Sequence, residues 1–170
     1  MEEEIVTEAQ TSPFNSALET GVRTLAILAA SYPKAHDLGR LVQYDYLAVH
    51  TADAGGPPSL HPPLPLRSGE LLVRRGLIEA GLRLMISRNL ISRSPETEGF
   101  QFSAQETAGA FLDNLRSPYM LQLRERAGWV VSRYDGFSAN ELDAVVKHLF
   151  AAWTTEFQPI QEAHQMEFLP

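Results

Sequence analysis

Apolar side chains recur at three- and four-residue intervals from residue 18 onward, which predicts an amphipathic helix near the start of the chain. Ser16 followed by Glu19 fits a capping box, in which the two side chains bond free amides of the first turn. Pro33 is expected to end this helix. Its apolar stripe comprises Leu18, Val22, Leu25, Leu28 and Ala29.

A second helix is predicted from Asp37, a favourable N-cap residue, to about His50, because apolar residues again recur at helical spacing. The next segment, residues 51–67, is rich in proline and glycine, and we call it the strap. Prolines lower the entropy cost of holding one shape. We therefore expect the strap to rest leucines on the helices and to deliver Arg67 and Glu70 to the following helix. Two interpretations of the strap stay open: it contacts a partner, or it only covers apolar surface. The leucines are Leu60, Leu64 and Leu66.

A third helix is predicted from about Gly69 to Arg88, with Ser68 as its N-cap. Gly76 and Gly81 interrupt it, and a glycine inside a helix costs about 1 kcal/mol relative to alanine. Close packing of another helix or of the strap is therefore expected at these glycines. The predicted core stripe is Leu71, Ile78, Leu82 and Met85, widened by Leu77 and Ile86.

Two short segments with alternating apolar and polar residues follow, ending near Ser92 and Phe102. A longer loop containing Pro95 and Gly99 is expected between them, which predicts a β-hairpin. Three helices followed by a hairpin is the element order of a winged helix. In that interpretation the third helix is the recognition helix and residues 92–102 form the wing.

Three further helices are predicted after the hairpin. Ser117 with Pro118 marks the start of the second, since proline is well tolerated in a first turn. Ser138 with Glu141 forms another capping box at the start of the third. The predicted helices cover about residues 105–115, 118–134 and 139–157.

The predicted fold class is mainly α (α+β), a winged-helix-like domain with a small hairpin wing followed by a C-terminal helical hairpin. The acidic N-terminus has no apolar periodicity and is expected to be disordered. The predicted divisions are a tail over 1–12, the winged-helix-like domain over 13–116 with the strap at 51–67, the helical hairpin over 117–157 and a tail over 158–170.

Composition narrows the function classes. The 170-residue chain has 14 basic and 21 acidic residues, a net charge of −7, so a general nucleic-acid or anionic-membrane coat is disfavoured. It contains no cysteine, which excludes thiolate chemistry and suits a reducing cytoplasm. No apolar run approaches the roughly 20 residues that a membrane span requires. We expect a cytoplasmic protein.

The candidate chemistry is sparse. The five histidines are scattered, and no phosphate-binding or nucleophile motif is present. Asp45 is the one candidate buried carboxylate, because it lies on an otherwise apolar helix. It is expected to pair with Arg40, Arg67 or Arg74 and so tie the strap to the core. The alternative is a raised pKa and acid-base catalysis with a histidine.

Arginines are concentrated between residues 67 and 93, where six arginines accompany two glutamates. Arginine suits an interface because its planar fork bonds carboxylates and phosphates bidentately, although a coding bias toward arginine is an equal alternative. On the third helix Glu79 is placed to pair with Arg75 and Arg83. A seven-residue repeat in this region offers a possible DNA-binding stripe. The stripe comprises Arg67, Arg74, Gly81 and Arg88, with Arg93 on the wing.

The sequence resembles the middle component of bacterial ABC-three-component systems, in the branch that includes Lamassu-type defence. Three motifs carry the resemblance in the same order and at close spacing: DYL-x-x-H from residue 45, AGGPPSLHP from residue 54 and LPLRSGELLVRR from residue 64. The close match covers about residues 14–93, with a continuation to residue 157.

The resemblance implies a small non-enzymatic subunit with winged-helix character and without a cofactor, metal or small-molecule substrate. Its implied partners are an SMC or Rad50-like ATPase, which senses foreign or aberrant DNA, and an effector that is often a nuclease. The middle component would link the two and hold the effector inactive until triggered, with DNA reached through the complex. A free-standing winged-helix DNA-binding regulator is the alternative.

The family supplies no catalytic residues, so only positions within the matching motifs are predicted to contact a partner or to anchor the strap. They are Asp45, His50, His61, Arg67, Glu70, Arg74 and Arg75.

Overall fold

The computed structural model of the protein describes residues 16–63 and 70–151, Glu70 by its backbone alone. Helices and a small sheet alternate along the chain. The helices are α1 (Ala17–Ser31), α2 (Leu38–Val49), α3 (Glu70–Ser87), α4 (Ala108–Asp113), α5 (Pro118–Tyr134) and α6 (residues 139–151), with one turn of 3-10 helix at Thr51–Ala54. The strands are β1 (His36–Asp37), β2 (Ile91–Glu96) and β3 (Gly99–Ala104).

The helix starts follow from local side-chain chemistry. Ser16 and Glu19 form the predicted capping box at α1, and Asp37 accepts a hydrogen bond from the Arg40 amide at the start of α2. Ser117 caps α5 in the same way by accepting from the Met120 amide. These predictions are confirmed, and each rests on residues within one helical turn.

A second capping box begins α6. The Glu141 amide donates to Ser138 Oγ at 3.2 Å, and the Ser138 amide donates to a Glu141 carboxylate oxygen at 2.9 Å. This prediction is also confirmed. The predicted extension of this helix to residue 157, the Ser68 cap and both predicted tails lie outside the described residues.

The core is formed where α1, α2 and α3 pack together and α5 lies across α1 and α2. Ile78, Leu82 and Met85 on α3 are buried in it, as predicted. The inward residues of α5 share the same core, as does Leu142 of α6. Those α5 residues are Leu123, Ala127, Val130 and Tyr134.

The two glycines of α3 differ sharply. At Gly81 a Cβ atom would lie 2.6 Å from the backbone nitrogen of Gly21, so α1 and α3 approach each other at a pair of glycines. This confirms the expected close packing at Gly81. At Gly76 a Cβ would meet no atom within 4 Å, so the same expectation is wrong there within the described structure.

The hairpin differs from its prediction in length and turn. Pro95 lies within β2 and is paired with Phe100, so the turn consists of Thr97 and Glu98 alone. The expected longer loop is therefore wrong. The sheet order is β1-β3-β2, which makes β2 an edge strand, and edge strands tolerate proline because one row of amides needs no partner. Gly99 starts β3 at φ 128, a value that favours glycine.

Strand β1 was not predicted. It is only two residues long, and its pairing of His36 with Phe102 of β3 joins segments far apart in sequence. The predicted fold class, mainly α (α+β), is confirmed by six helices and one three-stranded antiparallel sheet in the described chain. The predicted domain boundaries stay predictions.

Candidate functional site

A buried ionic cluster joins α1, α2 and α3. Asp45 on α2 is 1% exposed and receives two hydrogen bonds from Arg23 on α1, at 2.9 Å from Nε and 3.3 Å from Nη2. Arg74 on α3 donates a third from Nη1 to Oδ2 at 2.5 Å. One carboxylate therefore holds three helices at a single point.

The ionic state of Asp45 decides what it can do. Burial alone would raise its pKa, but the charges of Arg23 and Arg74 and their hydrogen bonds outweigh burial and hold the pKa below its usual value. The carboxyl group is therefore ionised at neutral pH and has no proton to donate. The alternative of a raised pKa for acid-base catalysis is wrong for this residue.

Of the three arginines predicted as possible partners of Asp45, the structure confirms one. Arg74 is confirmed, whereas Arg40 instead donates to Tyr44 Oη and to the Tyr134 carbonyl. Arg67 lies outside the described residues. Arg23 was missed, although apolar residues on every side of α1 after residue 24 signal a helix buried all round, in which an arginine needs a partner.

The described part of the strap, residues 51–63, is bonded to the end of α2. The amides of Leu60 and His61 both donate to the Val49 carbonyl at 3.1 Å, which satisfies a group that the helix end leaves free. Thr51 Oγ1 donates to the Pro57 carbonyl at 2.7 Å, and the Ala52 amide donates to Ser59 Oγ. The strap therefore folds back on itself as well as on α2.

Helix α5 holds the other side of the strap. Arg126 Nε donates to the Pro58 carbonyl at 3.0 Å, and His61 Nε2 lies 2.9 Å from Tyr119 Oη. Gly56 packs so closely on the Trp129 indole that a Cβ would lie 2.5 Å from Cζ2. Leu60 packs against the core as predicted, while Leu64 and Leu66 lie outside the described residues.

The ionic cluster and the strap are connected through Tyr46. The Arg74 guanidinium lies over the Tyr46 ring at 5.8 Å, and Tyr46 Oη donates to Asp53 of the strap at 2.9 Å. His50 lies beside Tyr46 and makes an edge contact with His61. Four of the predicted positions, Asp45, His50, His61 and Arg74, thus lie around the anchored strap.

The remaining predicted positions lie elsewhere. Arg75 is exposed on α3 and pairs with Glu79 at 3.7 Å. The side chain of Glu70 is outside the described structure, as is Arg67. The expected DNA-binding stripe is broken, because Arg74 is directed to Asp45 and Gly81 is packed on α1. Both face the interior of the fold.

Burial lowers the pKa of His50 and of His61 to about 4, with nearby arginine charges acting in the same direction. Both rings are therefore neutral in the folded protein at neutral pH. The pKa of His36 is lowered as well, first by burial and then by Arg40. These histidines are packing residues, held by the strap and the sheet.

Stability should fall as the pH drops from about 6.5 to 4. In that window an unfolded histidine, with a pKa near 6.5, binds a proton that the folded protein excludes. Wherever the unfolded state binds more protons than the folded state, the free energy of unfolding falls as the pH falls. The effect is complete near the folded pKa of about 4. Urea unfolding between pH 7.5 and 4.5 would measure it.

In His50→Gln the dependence on pH should be shallower, whatever the change in absolute stability. An unchanged slope in His50→Gln and in the double variant with His61→Gln would contradict the assignment of the effect to these two rings.

The described residues hold neither a cluster of metal ligands nor a membrane-spanning helix. Within residues 16–63 and 70–151 no three histidine, aspartate or glutamate side chains come together as metal ligands. None of the helices in the same ranges combines the length and apolarity of a membrane span.

One family model matches the chain over residues 13–156, that of the ABC-three component (ABC-3C) system Middle Component 2. No curated protein and no solved structure matches the chain.

Proposed function

The chain belongs to the middle component 2 family of ABC-three-component systems, and on that premise we propose that it is a non-catalytic subunit that links two other components. The proposed components are an SMC or Rad50-like ATPase and an effector nuclease, in a prokaryotic defence complex of the Lamassu type against phage or plasmids. The family match over residues 13–156 is the observation that carries this proposal.

The geometry around Asp45 supports a binding role. Its carboxylate is fully engaged by Arg23 and Arg74, and the histidines nearest to it are neutral packing residues. The strap is bonded to both α2 and α5 over its described part. Such an arrangement holds a surface in one shape, which is what a linking subunit needs. We propose that Asp45, His50, His61 and Arg74 anchor the strap.

Winged-helix character is part of the proposal. It is supported by the order α1, β1, α2, α3, β2, β3, in which the strand between the first two helices pairs with the second strand of the hairpin. We further propose that the protein is located in the cytoplasm, where it would bind the other components.

A free-standing DNA-binding regulator receives less support. Arg74 and Gly81, two members of the possible DNA-binding stripe, are turned toward the interior. The protein has a net charge of −7, which disfavours DNA binding. Within the described part of residues 67–93 the exposed arginines are Arg75, Arg83, Arg88 and Arg93.

Linking can be tested by co-expressing the chain with the proposed ATPase and effector of its own system, with the affinity tag on the effector. The ATPase should be recovered on the tag when this chain is present and lost when it is omitted. Equal recovery of the ATPase without this chain would refute a linking role. Elution of this chain alone at low salt would count against any stable assembly.

A further inference from the structure

Helix α3 carries apolar residues on both sides. Ile78, Leu82 and Met85 are buried against α1 and α2, yet Leu72 and Val73 are 73% and 64% exposed. We define the outer face of α3 as the strip opposite the buried side, where helical spacing brings the exposed and half-buried residues together. It comprises Leu72, Val73, Gly76, Ala80 and Arg83.

The outer face has the shape of a helix-docking surface. On the buried side, Gly81 allows α1 to approach until backbone atoms touch. On the outer face, Gly76 precedes Ala80 by one turn, and within residues 16–63 and 70–151 no atom lies within 4 Å of where its Cβ would be. A glycine in mid-helix weakens the helix, and the described fold does not use this one. A second helix crossing at Gly76 would use it in the way that α1 uses Gly81.

The charge around the outer face indicates which kind of partner could bind there. Between residues 71 and 88, on α3 and directly after it, three exposed arginines accompany one acidic residue, Glu79, in a protein with a net charge of −7. A second copy of the chain would place arginines against arginines, which is unfavourable. Duplex DNA would offer phosphates but nothing apolar for Leu72 and Val73. The three arginines are Arg75, Arg83 and Arg88.

We propose that the outer face of α3 docks an amphipathic helix of a partner component whose apolar stripe is flanked by acidic residues. Leu72 and Val73 would contact the apolar stripe, Gly76 and Ala80 would let the two backbones approach, and the arginines would pair with the acidic flanks. The inference rests on the proposed function, since it names the surface through which the subunit binds.

Three variants test the surface without entering the core. Leu72→Glu with Val73→Glu places charge on exposed positions near the start of α3, where acidic residues are tolerated. Gly76→Leu fills open space and improves helix propensity, and Arg83→Glu reverses one charge. Leu121→Glu is the matched control, because Leu121 is an exposed leucine, 56%, on α5.

In the co-expressed assembly the affinity of the chain for its partner should fall at least tenfold in each α3 variant, while Leu121→Glu binds as the wild type does. Circular dichroism should show an unchanged fold, and Gly76→Leu should unfold at the same or a higher urea concentration. Loss of binding in a stably folded Gly76→Leu would separate docking from folding. If the wild type assembles and the α3 variants bind equally well, the inference is wrong and the proposed function stands.

A wild-type chain that never assembles with other components would refute both the proposed function and the proposed docking surface.

The partner bound at the outer face is identified by placing the photo-crosslinking residue p-benzoylphenylalanine at position 76 and sequencing the crosslinked peptide. A crosslink to an acidic amphipathic helix of another component supports the proposal. A crosslink to DNA, to a second copy of this chain or to a basic segment overturns it, as does a failure to crosslink within the assembled complex.

Discussion

Replacing Asp45 by asparagine should lower the free energy of unfolding by about 3–5 kcal/mol, the usual cost of removing one partner from a buried ion pair. The change keeps the size of the side chain, removes its charge and replaces one acceptor oxygen by an NH2 donor, which cannot accept from either guanidinium. Arg23, with a side chain 3% exposed, and Arg74, with one 14% exposed, would then lie close together without the carboxylate that neutralises them. A domain of ordinary stability, about 5–15 kcal/mol, would lose a large part of it.

Urea unfolding at pH 7 measures this loss. Asp143→Asn is the control, because Asp143 pairs with Lys147 at 2.7 Å but both side chains are largely exposed. Such surface pairs contribute about 0.3–0.5 kcal/mol. Replacing all three members together, by Arg23→Met, Asp45→Leu and Arg74→Met, should recover most of the loss, since apolar residues of similar size often substitute for buried ion triads. A loss below about 1 kcal/mol in Asp45→Asn would contradict the conclusion that this carboxylate holds the three helices together.

Alanine at the two glycines of α3 should change stability in opposite directions. In Gly81→Ala the new Cβ would lie 2.6 Å from the nitrogen and 2.8 Å from the Cα of Gly21, so α1 and α3 must move apart. Overpacking of this kind costs about 1–3 kcal/mol, and here the obstructing atoms are backbone. In Gly76→Ala no atom of the described part of the chain obstructs the methyl group, and the gain in helix propensity should stabilise the protein by about 0.5–1 kcal/mol.

The midpoints of urea unfolding for the two variants, measured side by side, give the comparison. Because both substitutions lie in one helix, propensity is nearly the same in each and the difference reports the α1–α3 contact. Gly21→Ala should fall between them, since its Cβ would lie 2.9 Å from the movable end of Met85 and 3.0 Å from the backbone oxygen of Gly81, a looser backbone contact than the 2.6 Å met in Gly81→Ala. Equal or greater stability of Gly81→Ala compared with the wild type would contradict the close helix contact.

The features that the sequence predicted well depend on neighbouring residues. The Ser16 and Ser138 capping boxes and the Asp37 cap are each complete within four residues, so their physics is visible without a fold. The burial of Asp45 and its pairing with an arginine also followed, because a carboxylate on an apolar helix needs a cationic partner, but the choice of Arg74 over Arg40 did not.

The missed features depend on distant contacts. Arg23 and Asp45 are 22 positions apart, so the apolar pattern of α1 signals that Arg23 needs a partner but does not say which carboxylate it meets. The contact of Gly81 with Gly21 of α1 likewise depends on the tertiary fold, whereas helical spacing alone places Gly76 opposite the buried stripe of α3. The hairpin turn was misplaced because Pro95 reads as a turn residue unless its strand is known to lie at an edge.

If this chain works as a subunit, it should be recovered bound to other components of its system. Native mass spectrometry of the tagged chain, purified after co-expression with those components, tests this most directly. A single assembly is expected, in which the 18.9 kDa chain is bound to at least one other component at a fixed ratio. A spectrum containing only the 18.9 kDa chain or its own oligomers, with the other components expressed and folded, would contradict it.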